Sequence, residues 1–389
     1  MNELRQIVVV LALNLRNLHT RLWPSLVIVV GMACVVGVLL SMLSLTTGLV
    51  HAYMASGNPQ QAIVLSQNSQ FEFGSSITRA AIDPIFDAPG ISKDRTGAAV
   101  AAAEILSSIP VTIKKSGFAA NVLLRGFGPK SLEMRPEFKL VSGRMFRPGS
   151  REMLAGIAAE GQFNGLNVGD KIILPDGEWP IVGNFSTGGD ILEGELVADA
   201  PTAMAALRSN TFNSVTVRLA NPGALSAFKK ALTSNPALSV TAERLSDYYL
   251  RTTQLFSGFF NGVAYTVGAI MAIGALFGAL NTMYSAVNAR MLEIATLRAL
   301  GFGAVPIAVS VIAEAMLLAL VGALIGATIA WLLFNGEQKA LGSNVFNMLV
   351  SPGLIVLGVA WALVIALLGS LFPSIRAARL PIAIALRET

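Results

Sequence analysis

The chain has 389 residues, 53% of them hydrophobic and only 13% charged, with a formal net charge of +5 and a mean hydropathy of +0.63. Soluble domains carry roughly 25% charged residues, so a wholly soluble globular protein is excluded. Nucleic-acid binding is excluded too. Residues 51–255 hold 19 Lys/Arg against 18 Asp/Glu with no dense basic run, and the basic excess lies at the ends of apolar runs, where it orients a chain in a membrane.

Residues 1–22 place Leu4, Ile7, Val8, Leu11, Leu15, Leu18 and Leu22 on one helical stripe, with Arg5, Asn14, Arg16 and Asn17 off it. This predicts an amphipathic interfacial helix, and the segment is too long and too patterned for the n-region of a cleaved signal peptide. Trp23 falls at interface depth and Pro24 marks the turn into the membrane. Four uncharged runs follow: Leu26–Val50, Phe256–Val287, Val305–Phe334, broken only by Glu314, and Leu354–Phe372. About 20 helical residues cross a hydrocarbon core of roughly 30 Å. The spans are therefore read at 23–50, 256–287, 305–334 and 354–372.

Cys34 is the one cysteine, and Gly31-Met-Ala-Cys34 lacks the Leu-like residue expected before a lipidated cysteine. It reads as a packed membrane residue. His19 and His51 are the only histidines, too few for a Cys/His metal cluster.

The polar segment 51–255 reads as an α/β domain inserted between the first and second spans. Strand-like Gln61–Gln67, helix-like Ile77–Phe86 and strand-like Val100–Leu106 and Val111–Lys114 open it. Strand Ser214–Leu219, a helix over Gly223–Ser234 behind Pro222, and strand Leu238–Thr241 close it. A β-α-β unit at each end predicts a split ferredoxin-like, porter-like module over 55–130 and 213–250. Between them, 131–212 reads as an inserted β-rich subdomain, with a hairpin of Lys171–Leu174 and Trp179–Gly183 around Pro175-Asp176-Gly177. The fold class is thus an α-helical membrane protein with four spans and an external α/β domain between the first two.

Short segments give the orientation. Arg5, Arg16 and Arg21, then Arg290 and Arg298, then Arg376, Arg379 and Arg387 cluster on one side, whereas the 335–353 loop has only Lys339 as a basic residue. The positive-inside rule puts both termini, including the tail 373–389, and the 288–304 loop in the cytoplasm, with 51–255 and 335–353 external.

No catalytic constellation emerges. Gly126-Phe-Gly-Pro-Lys-Ser131 has the wrong spacing for a phosphate loop, and Pro129 removes a donor, so it reads as a turn. Glu193 and Glu195 read as surface charge. Glu314 is an intramembrane carboxylate, read as structural: a hydrogen bond within the bundle, or an ion pair with Arg298 or Arg290. Gly258, Gly262, Gly274, Gly278, Gly322 and Gly326 repeat at four-residue spacing, which suits close helix packing within one chain or between two.

The stretch Asn288-Ala-Arg-Met-Leu-Glu-Ile-Ala-Thr-Leu-Arg-Ala-Leu-Gly301, with Ile312-Ala-Glu-Ala315 and Gly322-Ala-Leu-Ile-Gly326 after it, resembles the FtsX/MacB-type, mechanotransmission class of ABC transporter permease. Phe372-Pro-Ser-Ile-Arg-Ala-Ala-Arg-Leu-Pro381 resembles that family's ending, and Val141–Arg144, Val168–Asp170 and Ile181–Gly183 resemble its periplasmic domain. Ala295, where Gly is usual after Glu-Ile, and the missing acidic residue before Pro381 are departures.

The resemblance implies a subunit that is not itself an enzyme. A separate ABC ATPase in two copies would bind ATP and Mg, and a second permease subunit, identical or not, would complete a dimer. A periplasmic adaptor or substrate-binding protein, and membrane lipid, are the other implied partners. It further implies that Arg290, Glu293, Ile294, Leu297, Arg298 and Gly301 form the coupling segment that meets the ATPase, rather than a solvated connector. Cargo would be a lipid, lipoprotein or amphipathic solute that is extracted or exported. A signalling permease switching a periplasmic cell-wall hydrolase is the alternative.

The orientation is testable with single cysteines at Asp176 and Thr296 in a Cys34→Ser background, labelled by an impermeant thiol reagent. Position 176 should label in intact cells and 296 only after permeabilisation. The reverse pattern would invert the reading.

Overall fold

In the computed structural model, which describes residue 6, residues 22–342 and residues 344–379, the uncharged runs form four long helices. These are α1 (Leu22–Ser56), α6 (Leu245–Ala289), α8 (Ala304–Phe334) and α9 (Pro352–Ala378). Each is long and apolar enough to cross a membrane. At 45 residues, α6 is roughly 67 Å long and begins eleven residues before the uncharged run at Phe256. The fourth helix runs past Pro373 to Ala378, beyond the span end expected at 372. The interfacial helix expected over 1–22 and the tail from 380 lie outside the described residues, apart from residues 6 and 22. A short helix, α7 (Met291–Ala299), separates α6 from α8. The remaining helices are α2 (Arg79–Phe86), α3 (Ile157–Gln162), α4 (Ala200–Ala206) and α5 (Ala224–Ser234).

The chain divides into two compact units. One comprises the described residues within Met1–Thr47, Phe259–Asn335 and Leu349–Thr389; the other comprises Gly48–Gly258 and Gly336–Met348. In the first, α8 turns a face of small residues inward: Ala315, Ala319, Gly322, Ala323, Gly326 and Ala330 are buried. A Cβ at Gly322 would lie 2.4 Å from the Val29 carbonyl oxygen, and one at Gly326 would lie 2.3 Å from that of Ala33. The backbones of α1 and α8 touch because these two positions have no side chain.

Gly274 and Gly278 on α6, expected to pack within one chain or between two, make no close contact within the chain: a Cβ there meets nothing within 4 Å, nor does one at Gly258, Gly262 or Gly31. Gly31, Gly274 and Gly278 instead line an open groove of about 360 Å³ together with Cys34. Cys34 is exposed, which corrects the reading of it as packed.

The second unit is built on one ten-stranded sheet in the order β12-β1-β11-β3-β4-β9-β6-β8-β5, with β7 paired to β8. The strands are β1 (Gln61–Ser66), β3 (Ala101–Thr112), β4 (Ala119–Phe127), β5 (Lys139–Gly143), β6 (Met153–Gly156), β7 (Lys171–Leu174), β8 (Gly177–Ser186), β9 (Glu195–Asp199), β11 (Ser214–Arg218) and β12 (Val240–Arg244). A two-stranded pair, β2 (Ile77–Thr78) with β10 (Thr211–Phe212), stands apart. Strands expected separately at Val100–Leu106 and Val111–Lys114 are one continuous β3.

The stretch 131–212, read as an inserted subdomain, continues the same sheet. Its β9 pairs in parallel with β4, from Leu123 opposite Glu195 to Phe127 opposite Asp199. Helices α2 and α5 cover the β1–β11–β12 end over Ile85, Val215, Val217 and Phe228. The other end packs around Trp179, Phe163, Leu166, Leu196 and Met204.

Residues 335–353, expected as a plain loop, contain the hairpin β13 (Gln338–Leu341) and β14 (Asn344–Asn347). Val345 and Phe346 are buried, and a Cβ on Gly194 would lie 2.6 Å from the Val345 carbonyl oxygen. Lys115 adds an ion pair to Glu337. A strand pair this short is marginal alone and acquires its stability from the surface it covers.

Gly326→Val should therefore lower the melting temperature of the detergent-purified chain, because overpacking costs about 1–3 kcal/mol. Gly278→Val should leave it unchanged. Equal losses at both positions would show that α6 is as closely packed within the protomer as α8.

Candidate functional site

One site candidate is the junction of α6, α7 and α8. Helix α7 ends at Gly301, whose φ of +91° is a backbone state that favours glycine. The Phe302 N–H donates to the Leu297 carbonyl at 3.1 Å and the Gly301 N–H to that of Arg298 at 3.1 Å. This closes the helix before Gly303, the residue preceding α8.

At the other end Arg290 occupies the break after α6. Its guanidinium forks onto both carboxylate oxygens of Glu314 in α8. Both side chains are 7% exposed. A lone carboxylate inside the bundle would be costly, and a bidentate guanidinium answers it in charge and in geometry. Arg290 is thus not on the contact face where it was expected. Ile294 is also turned inward, at 6% exposure, into the cluster of Met283, Val287, Ile307 and Val311.

Of the other expected contact residues, Glu293 is exposed and Leu297 and Arg298 are half-buried. The apolar surface of this segment comes instead from Leu292, 49% exposed, and Leu300, 72% exposed. Helical spacing explains the exchange: with Ile294 turned inward, positions 292, 293, 296, 299 and 300 point out.

The second candidate lies in the α/β unit and was not found from sequence. Arg125 on β4 is buried and reaches three carboxylates. Its Nε donates to Glu195 on β9 at 2.6 Å, and its terminal nitrogens donate to Glu72 at 2.6 and 3.1 Å, to Glu104 on β3 at 3.1 Å and again to Glu195 at 3.1 Å. Arg135 holds Glu104 from the other side at 2.6 and 2.8 Å, and the Ser131 hydroxyl donates to it at 2.6 Å.

Glu195, read as surface charge, is therefore central to this cluster. Glu193 is buried too; it accepts from the Ser186 hydroxyl at 2.5 Å and the Thr187 N–H at 2.8 Å. The stretch 126–131, set aside as a phosphate loop, is the strand end and turn that carries Ser131 into the network. A charge inside an apolar strand was the available signal, at Glu104 after Ala101-Ala-Ala and at Arg125 after Val122-Leu-Leu. Sequence spacing could not reveal that these charges meet.

The carboxyls differ in ionisation. Burial would raise Glu104, but Arg135 and Arg125 together hold it below the usual carboxylate range. Burial pushes Glu195 up, and Arg125 only partly offsets this. For Arg125, burial alone would lower its affinity for the proton, but Glu195 and Glu72 raise it well above the usual arginine value. The part of α6 in this unit packs on the same region: Tyr248 accepts from the Glu72 N–H at 3.1 Å. Tyr249 packs at a tilt between Tyr248 and Tyr53 of α1, with centroids 5.2 and 5.6 Å away. Beside the network an aromatic groove of about 730 Å³ opens, with Glu72 and Glu195 among its lining residues.

Comparison with known proteins bears on both parts of the chain. Residues 265–382 match the family described as FtsX-like permease C-terminal, and residues 25–235 match the MacB-like periplasmic core domain. Among solved structures, the extracellular domain of the ABC-type transporter YknZ from Gram-positive bacteria is similar at 14% identity. That match covers 47% of this chain and 99% of that one, with a TM-score of 0.36. A domain of a permease protein from Porphyromonas gingivalis is similar at 13% identity, covering 47% of this chain and 85% of that one, with a TM-score of 0.29. No curated protein matches. Likenesses of this size add no weight beside the two family matches.

The network should behave asymmetrically on substitution. Arg125→Met leaves three buried carboxylates facing one guanidinium and should cost about 3–5 kcal/mol, or prevent folding. A carboxyl held low, as Glu104 is, contributes stability that is complete above the ordinary carboxylate value and is lost as pH falls through its lowered one. One pushed up, as Glu195 is, has the opposite sign. Thermal unfolding of the full chain should therefore show Glu104→Gln costing more than Glu195→Gln at pH 7, with the gap narrowing in acid. Equal costs at pH 7 would remove the distinction.

Proposed function

The chain belongs to the FtsX/MacB-type permeases of ABC transporters, and on that premise we propose that it couples ATP binding and hydrolysis by a separate ABC ATPase to movement of its α/β domain. In this reading the chain lies in the bacterial inner membrane, with α7 and both termini in the cytoplasm and the α/β domain in the periplasm. Two permease chains pair, and two ATPase subunits hold ATP and Mg beneath them. The work done is efflux or extraction of a lipid, lipoprotein or amphipathic solute.

The observation that carries the reading is the surface of α7. A nine-residue helix between two spans keeps Leu292 and Leu300 exposed while Arg290 and Ile294 anchor it from behind. Exposed leucines at both ends of so short a helix suit a docked partner. The Arg290–Glu314 pair ties α7 to α8, so a push on the helix is delivered to the bundle and not absorbed in a loop.

Leu300→Asp and Leu292→Asp are expected to leave membrane insertion intact, since both side chains are solvent-facing. Each should reduce co-purification of the ATPase by roughly tenfold or more, because a charge is then desolvated at the contact. Spin labels on paired α/β domains should no longer change separation with a non-hydrolysable nucleotide. Full ATPase retention in both variants would return α7 to the status of a connector.

A further inference from the structure

The aromatic groove beside the charge network has a chemistry of its own. Its lining includes Glu72, Glu195, Phe71, Phe73, Tyr248 and Phe256. The network beneath it contains three carboxylates, Glu72, Glu104 and Glu195, and two guanidinium groups, Arg125 and Arg135. With every group ionised, one negative charge is left over. Glu104 is held by both arginines and Ser131, which leaves Arg125 alone to answer Glu72 and Glu195, the two carboxyls that line the groove; a cation seated there would favour the ionised form of Glu195 against the burial that pushes it up.

Aromatic rings share that lining. Phe71 and Phe256 are 6.2 Å apart between centroids, and Phe73 is 57% and Phe256 39% exposed. Arg251 lies over the Tyr248 ring at 5.7 Å and pairs with Glu243 at 2.6 Å, so its charge is already answered. The groove also lies where α6 changes character: Arg251 is the last charge before the uncharged run that begins at Phe256. Aromatic faces attract cations, and more strongly when these are desolvated. A mostly apolar cavity with few convergent charges is the usual form of a small-molecule site.

We propose that this groove binds an amphiphilic cation, its ammonium-like head over the Glu72 and Glu195 carboxylates and its apolar body between the phenylalanine and tyrosine walls. The proposal deepens the transport reading by naming a ligand class, and rests on that reading only in taking the ligand for cargo. The site is complete in one permease chain, so binding needs neither nucleotide nor ATPase.

The test uses the detergent-purified full chain, with equilibrium dialysis against radiolabelled tetraphenylphosphonium and, as an anion of the same shape, tetraphenylborate, after subtraction of empty micelles. Saturable binding of the phosphonium is expected, roughly tenfold or more tighter than that of the borate. Phe73→Ala and Phe256→Ala alter exposed rings and should leave the fold intact; each should weaken binding by roughly threefold to tenfold. Phe118→Ala, an exposed ring that does not line the groove, should have no effect. Glu195→Gln removes the carboxyl that a bound cation would hold ionised and should erase the preference for cation over anion.

Addition of phosphatidylethanolamine, with phosphatidylglycerol as control, identifies the source of the head group. Displacement by the former alone assigns the groove to a lipid amine, and undiminished binding assigns it to a soluble cation. Leu300→Asp should bind the phosphonium like wild type, so a failed groove and a failed coupling surface are read separately. Equal binding of the two ions, or wild-type binding by the Phe73→Ala/Phe256→Ala double variant, would overturn the proposal.

Discussion

Arg125 sits where four pieces of the α/β domain meet. It lies on β4, and its guanidinium reaches β3 through Glu104, β9 through Glu195 and the turn Glu72–Gly74 through Glu72. β9 is the strand that joins 131–212 to the rest of the sheet, in parallel with β4. Parallel neighbours carry no tight turn to fix their register. Here the register has a charged pin instead: Arg125 pairs with Val197 in the ladder while its side chain reaches back to Glu195.

Such a network is poor evidence of net stability, because stripping water from five charged groups costs nearly as much as their attraction returns. Its effect is selective. An alternative register would leave a buried guanidinium or carboxylate without its partner, at a cost of several kcal/mol. The same selectivity extends to the helices that begin or end in this unit. Tyr248 of α6 is hydrogen-bonded to the backbone of Glu72, and Tyr53 of α1 packs at a tilt against Tyr249. These helix ends are seated by the cluster that aligns the sheet.

The membrane unit solves the same problem with one pair in place of five groups. Arg290 and Glu314 are a bidentate match inside an otherwise apolar cluster. They hold α7 against α8 at the point where the chain reverses. Around them the packing is steric: the glycines of α8 admit the backbone of α1, whereas Gly258, Gly262, Gly274 and Gly278 of α6 face open space.

Sequence alone determined the number and approximate place of the long apolar helices, the α/β character of the inserted domain and the position of the short segment between the second and third spans. These are local properties, fixed by run length, by periodicity of 2 or 3.6 residues and by Gly301 as a helix end. The Glu-Ile-Ala-Thr-Leu-Arg-Ala-Leu-Gly stretch also carried the family, since it is contiguous. Only the tertiary structure decided which charges are buried together, which side of α7 faces out and that residues 338–347 form a hairpin seated on the α/β domain. Arg125 and Glu195 are 70 positions apart, and nothing in local pattern distinguishes a buried partner from a solvated one. Ile294 and Leu300 are both apolar on one short helix, and the choice between them was made by the packing of α6 and α8 behind it. Burial is a property of the assembled neighbours, so it appears only when they are in place.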